Sequence, residues 1–154
     1  MHYKLTTETK VYCGITLYRI GALVDLPQHK VKAGDKGGWI QSTSNLWAEA
    51  WVFGNAWVYG DAQVYGSAQV SGNARVNGNA VVYGKAKLRH SSDIHCISGY
   101  SFHITRTRGY AVIGCKRLSI KQWMAMPLKE AIELGLPAEE YETIRKLLRL
   151  TRIK

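Results

Sequence analysis

The chain has 154 residues, with 21 Lys and Arg against 11 Asp and Glu, giving a formal net charge of +10. That length holds one domain with small additions, no apolar run approaches a membrane span, and no apolar N-terminal segment marks a secretion leader. Cys13, Cys96 and Cys115 lack the paired spacing of a disulfide framework, which points to a reducing, cytoplasmic setting.

Residues 1–38 read as a small β cap. VYCGITLYRI and ALVDL are rich in β-branched and aromatic residues, and Pro27 ends the second run. AGDKGGWI then turns the chain into the first coil of a repeat, with Gly34, Gly37 and Gly38 expected to supply turn flexibility. GDKGG lacks the spacing of a phosphate-cradling P-loop and leads into a strand rather than a helix.

Residues 39–95 repeat every six positions. Aliphatics fall at Ile40, Leu46, Val52, Val58, Val64, Val70, Val76, Val82, Leu88 and Ile94. Alanine stands two residues before most of them and glycine two residues after, giving the unit V-x-G-x-A-x. Neither a 3.6-residue helix nor a simple hairpin has that period; a parallel β-helix does. Each unit makes one short strand and one corner, and three units make an eighteen-residue coil. The expectation is a mainly β fold: a short left-handed parallel β-helix of about three coils, with a small N-terminal β cap and a C-terminal β-hairpin plus helices. Residues eighteen apart stack, giving inner columns Ile40–Val58–Val76–Ile94, Leu46–Val64–Val82 and Val52–Val70–Leu88.

The same spacing orders the outward side chains. Trp39, Trp57, Arg75 and Asp93 share a column, as do Trp47, Tyr65 and Tyr83. Trp51 stacks over Gln69 and Lys87, and Phe53 over Ser71 and Arg89. Aromatics this dense mark a covered surface. Either the N-terminal segment lies over them, or Trp47, Trp51, Phe53, Trp57, Tyr59, Tyr65 and Tyr83 form a subunit interface, a homotrimer first.

Residues 96–154 carry eleven Lys and Arg against five Asp and Glu, a balance that favours a nucleotide, nucleic acid or acidic protein as partner. ISGYSFHITRTRGYAVIGC reads as two strands around a TRTRG turn. Ser119 opens a short helix with Gln122 completing a capping box. Pro127 starts a second helix that Gly135 stops, and Pro137 starts a third. Tyr141, Ile144, Leu147 and Leu148 form its apolar stripe, with Arg145, Lys146, Arg149 and Arg152 elsewhere.

The patterns around Leu5–Lys10, Gly14–Leu23, Gly34–Ser42 and Asn45–Leu46, with Ile113–Trp123 near the end, resemble a group of uncharacterised hexapeptide-repeat proteins of phages, prophages and gut bacteria. The resemblance implies a left-handed β-helix. That group is often labelled acyltransferase on fold alone, a weak guide to activity.

Three functions fit these features. The first is a non-enzymatic binding protein, phage- or prophage-derived, engaging an anionic ligand or a host partner, as a host-defence inhibitor or a nucleotide-sequestering protein. Its candidate ligand residues are Arg106, Arg108, Lys116 and Arg117, whose cations grip phosphates, with Tyr100 and Tyr110 beside them to stack bases; the alternative is a hairpin tip kept soluble by charge. The second is a trimeric acyltransferase, for which His90 and His95 are the available general bases. The third is a structural β-solenoid without ligand. His90, His95, Cys96 and His103 match no standard zinc spacing, so no metal and no cofactor is expected; Cys96 and Cys115 read as packed apolar residues.

Overall fold

The computed structural model describes residues 1–151 and residue 153. Arg152, among the cations of the last helix, lies outside the described residues. The chain divides into two compact units, Met1–Asp93 and Ile94–Lys154. Among the described residues no helix is long and apolar enough to cross a membrane.

The first unit opens with a hairpin of β1 (Tyr3–Tyr12) and β2 (Ile15–Ala22), followed by β3 (Lys36–Ile40). Seven two-residue strands then recur every six residues: β4 (Trp51–Val52), β5 (Trp57–Val58), β6 (Gln63–Val64), β7 (Gln69–Val70), β8 (Arg75–Val76), β9 (Val81–Val82) and β10 (Lys87–Leu88). They pair in parallel with strands eighteen residues away: Ile40 with Val58 and Val58 with Val76, Val52 with Val70 and Val70 with Leu88, Val64 with Val82. Three parallel ladders built by one repeating unit make a β-solenoid.

The aliphatics from Val52 to Val82 and the alanines from Ala50 to Ala80 are fully buried. Each fully buried valine contributes about 1.5–3 kcal/mol. The corner before each of these alanines has a left-handed backbone, and some corners have no room for a side chain either. Gly72 (φ +61°) is one of these: a Cβ there would lie 2.5 Å from the Arg89 carbonyl oxygen. The column Ile40–Val58–Val76 does not continue as a parallel ladder to Ile94, which instead pairs antiparallel with Thr107. Asp93 does not extend the outer column as a strand either. Its carboxylate accepts the Arg89 and His90 N–H groups at 2.7 and 2.9 Å, closing a turn where the glycine corners end.

The N-terminal strands extend a solenoid ladder rather than standing apart, in the order β1-β2-β3-β5-β8. Asn45 fixes the start of the repeat. It is fully buried, its Nδ2 donates to the Gly60 and Ala62 carbonyls at 3.0 and 2.8 Å, and its Oδ1 accepts the Ser42 N–H. Gly37 and Gly38 lie inside β3, not in a flexible turn. They provide room: a Cβ on Gly38 would meet Val52 Cγ1 at 2.5 Å and the Ala56 carbonyl at 2.7 Å.

The second unit is a four-stranded antiparallel sheet, not the two strands expected. Its order is β11 (Ile94–Ile97), β12 (Ile104–Thr107), β13 (Tyr110–Ile113), β14 (Lys116–Ser119). Three helices complete it: α1 (Ile120–Ala125), α2 (Leu128–Glu133) and α3 (Ala138–Leu150). Ser119 Oγ accepts the Gln122 N–H, and Gln122 Oε1 accepts the Ser119 N–H, so α1 starts on a closed capping box. Ile104, Ala111 and Ile113 pack with Trp123, Met126, Leu136, Tyr141, Ile144 and Leu148. The Trp123 indole N–H donates to the Ala111 carbonyl at 2.9 Å, and the Tyr141 hydroxyl to the Met126 carbonyl at 2.6 Å, so both buried polar tips are satisfied.

All three cysteines are exposed, contrary to the packed positions expected for Cys96 and Cys115. Cys96 lies on the edge strand β11, and Cys115 sits in the turn between β13 and β14.

Because β3 has no room for a methyl group, Gly38→Ala is expected to lower the unfolding free energy by about 1–3 kcal/mol, measured by urea denaturation with tryptophan fluorescence.

Candidate anion-binding site

The outer face of the β2-β3-β5-β8 ladder carries one row of side chains. Arg19 pairs with Trp39, Trp39 with Trp57 and Trp57 with Arg75, one position per strand. Their neighbours Ile40, Val58 and Val76 point inward, so strand alternation turns this row outward. The β1-β2 hairpin has a register break between Leu5 and Thr9, and its far part lies over the row. There the Lys10 ammonium sits between two indoles, 4.2 Å from the Trp39 ring and 4.0 Å from the Trp57 ring. Arg75 lies 4.1 Å from the Trp57 ring and 5.2 Å from the Tyr12 ring, and Arg19 lies 5.2 Å from the Trp39 ring. Tyr12 completes the stack, edge-on to Trp57 at 5.0 Å. Each such cation–aromatic contact stabilises by about 0.5–2 kcal/mol.

The row is rich in donors and poor in acceptors. Glu8 accepts from Lys36 Nζ and lies 3.8 Å from Arg19 Nε. Among the described residues neither Lys10 nor Arg75 forms an ion pair. The Trp39 indole N–H and Arg19 Nε are buried with no hydrogen-bond acceptor among the described residues. Burial, with Arg19 and Arg75 adding like charge, pulls the Lys10 ammonium down to about 8. Lys10, Tyr12 and Arg19 were not among the candidates read from the sequence. The Trp39–Trp57–Arg75 column was legible as a column and was the available signal.

The aromatics expected at an interface separate. Trp51 is 1 % exposed and so is unavailable to a partner: the N-terminal strand lies over it, with the His2 ring 6.1 Å away and His2 Nε2 donating to the Ala50 carbonyl. Phe53 meets the His29 ring at 6.2 Å. Trp57 belongs to the cationic row, and Tyr59 faces Tyr12 while accepting from Asn77. Tyr65 stacks on Trp47, and Tyr83 is half-buried. Trp47 alone of this set remains widely exposed, at 48 %.

The C-terminal basic set is not one exposed grip. Arg106 is 4 % exposed because the whole of β12 is buried, Thr105 and Thr107 included, and its cross-strand partner is Ala111, a core residue. Its Nε and one terminal nitrogen have no hydrogen-bond partner among the described residues, and burial lowers its pKa. Arg108 is exposed beyond the end of β12. Arg117 stacks on Tyr110 at 4.0 Å, so those two come together, while Lys116 is exposed. Tyr100 packs against the hydrophobic core instead of joining them. His90 is exposed, and His95 pairs with Arg106 across β11 and β12. Among the described residues no three His, Cys, Asp or Glu side chains converge on a metal position.

Residues 68–84 match the family model of the YdcK beta-solenoid repeat. The match lies within the repeat and supports a β-solenoid scaffold. No curated protein matches the chain.

The Lys10 shift sets a stability window. Between about pH 8 and 10.5 the unfolded chain keeps a proton that the folded chain has released, so Lys10 makes stability rise with pH across that window. Tyr3, pushed up to about 12 by burial, acts with the opposite sign above its ordinary value of 10.0. Lys10→Met is therefore expected to flatten the rise between pH 8 and 10, read from urea midpoints of the two proteins at matched pH.

Proposed function

We propose that the chain is a non-enzymatic binding protein that uses its β-solenoid as a rigid scaffold for an anionic ligand, seated along the Arg19–Lys10–Arg75 row. The observation that carries this reading is Lys10 and Arg75 held close together on Trp57 with no carboxylate between them. Lys10, partly desolvated and facing the like charge of the exposed Arg75, raises the energy of the free protein. An anion laid along the row relieves that energy, and the relief appears as affinity.

The indole faces already carry cations, so the ligand meets the row through charge rather than by stacking bases on tryptophan. A polyphosphate or the phosphates of a nucleotide or nucleic acid fit this requirement best. A stiff sheet keeps the cations in place before the ligand arrives, which limits the ordering cost of binding. The finer features of the reading are a left-handed solenoid of about three coils, self-association as a trimer, and a phage-type protein acting on a host partner in the host cytoplasm. These rest on the hexapeptide pattern and the resemblance it carries.

The test is a tryptophan-fluorescence titration with inorganic triphosphate and with a short single-stranded oligonucleotide at several salt concentrations. Affinity is expected to fall with salt for both. Arg75→Ala is expected to weaken binding about tenfold or more and to reduce the logarithmic salt slope for the oligonucleotide by about one. Undiminished binding by a folded Arg75→Ala, Lys10→Ala double variant contradicts the reading.

A further inference from the structure

The first unit has a second feature, separate from the cationic row and of opposite character. A half-open cleft of about 660 Å³ lies among residues of the first strand and the start of the repeat, in the size range of small-molecule sites. Val24, Leu46, Trp47 and Ala48 supply its apolar lining, and His2 and Glu49 stand among its polar residues.

Trp47 is built as a fixed platform. Its indole N–H donates to the Ser44 carbonyl at 2.7 Å, and Tyr65 stacks on it with ring centroids 6.4 Å apart and planes 20° from parallel. One face is therefore taken, while Trp47 stays 48 % exposed and lines the cleft. Ala48 has φ +54° and occupies a repeat corner that is glycine at the next six corners. The chain bears the strain of an L residue there and gains a methyl group in the cleft lining.

The polar chemistry is directional. Glu49 accepts a hydrogen bond from Gln28 at 3.0 Å through one carboxylate oxygen, which orients the group. His2 donates through Nε2 to the Ala50 carbonyl, and burial lowers its pKa, so Nδ1 is an acceptor near neutral pH. The Tyr3 hydroxyl is already committed to the Thr43 and Leu46 carbonyls. Apart from the α-amino group of the strongly exposed Met1 and the Thr43 hydroxyl, which can donate or accept, the cleft therefore presents acceptors, one of them charged. It faces donors and cations, in a chain whose net charge is +10.

We propose that this cleft binds a small planar aromatic molecule bearing one cationic or N–H donor group, the ring on the exposed part of the Trp47 indole and the donor on the Glu49 carboxylate. An aromatic pair and a charge-assisted hydrogen bond then act together.

Tryptamine and indole-3-acetate test this: they share a ring and carry opposite charges. Calorimetric titration of the full chain is expected to show tryptamine binding at least about tenfold more tightly than indole-3-acetate. Glu49→Gln keeps the size and is expected to cost tryptamine about tenfold, in line with loss of a hydrogen bond to a charged group. Trp47→Ala is expected to remove binding of both probes. Triphosphate binding should be unchanged in Glu49→Gln, which separates this cleft from the cationic row. The proposal is overturned if wild-type protein shows no tryptamine binding at millimolar concentration, or binds both probes equally with Glu49→Gln unaffected.

Discussion

Residues eighteen apart must lie on top of one another, and the first unit depends on that constraint. The solenoid interior holds one aliphatic per strand and, from Ala50 onward, one alanine, as the full burial of Val52 through Val82 and Ala50 through Ala80 records. Because the inside is fixed in register, the outside is too. Trp39, Trp57 and Arg75 stand in line because Ile40, Val58 and Val76 do. The outer row is a consequence of inner packing, and any shift of the ladder would dismantle both.

On that fixed face the hairpin adds what the repeat alone does not hold. Lys10 enters between two indoles and loses water, gaining two cation–aromatic contacts but no carboxylate. Arg75 also lies on Trp57, 4.1 Å from its ring; it is exposed and, among the described residues, likewise has no carboxylate partner. Glu8 pairs with Lys36 and lies near Arg19 at the other end of the row, offsetting one of those two charges, and no carboxylate among the described residues pairs with Lys10 or Arg75. Contacts sufficient to hold a hairpin down do not require three cations around two rings. An apolar residue at position 10 would pack against indoles without the desolvation cost, and this is why the row reads as a seat for an anion rather than a clasp.

The repeat was legible because its inward positions leave almost no freedom: a valine, a small residue and a left-handed corner recur without a break. The outward column followed by arithmetic. What covers it did not, because the approach of Lys10 and Tyr12 depends on the register break between Leu5 and Thr9, and no local pattern encodes that break. The second unit was harder. Ile94 falls on the last aliphatic position of the repeat, and Lys116–Ser119 lies outside the strands expected, yet Ile94–Ile97 and Lys116–Ser119 are strands held by β12 and β13. T-R-T-R reads as polar on both faces, so nothing in it reveals that every residue from Ile104 to Thr107 is buried. The capping box at Ser119 and Gln122 and the helix starts after Pro127 and Pro137 were readable because those signals are local.

The most direct test of the anion seat is the titration of the Lys10 side chain by NMR, with Nζ observed in free protein and in protein saturated with inorganic triphosphate. The account predicts a pKa near 8 in the free protein and a clear rise when the anion is bound, because the added negative charge favours the ammonium. A free value near the ordinary 10.5, or a depressed value that saturating triphosphate leaves unmoved, would contradict it.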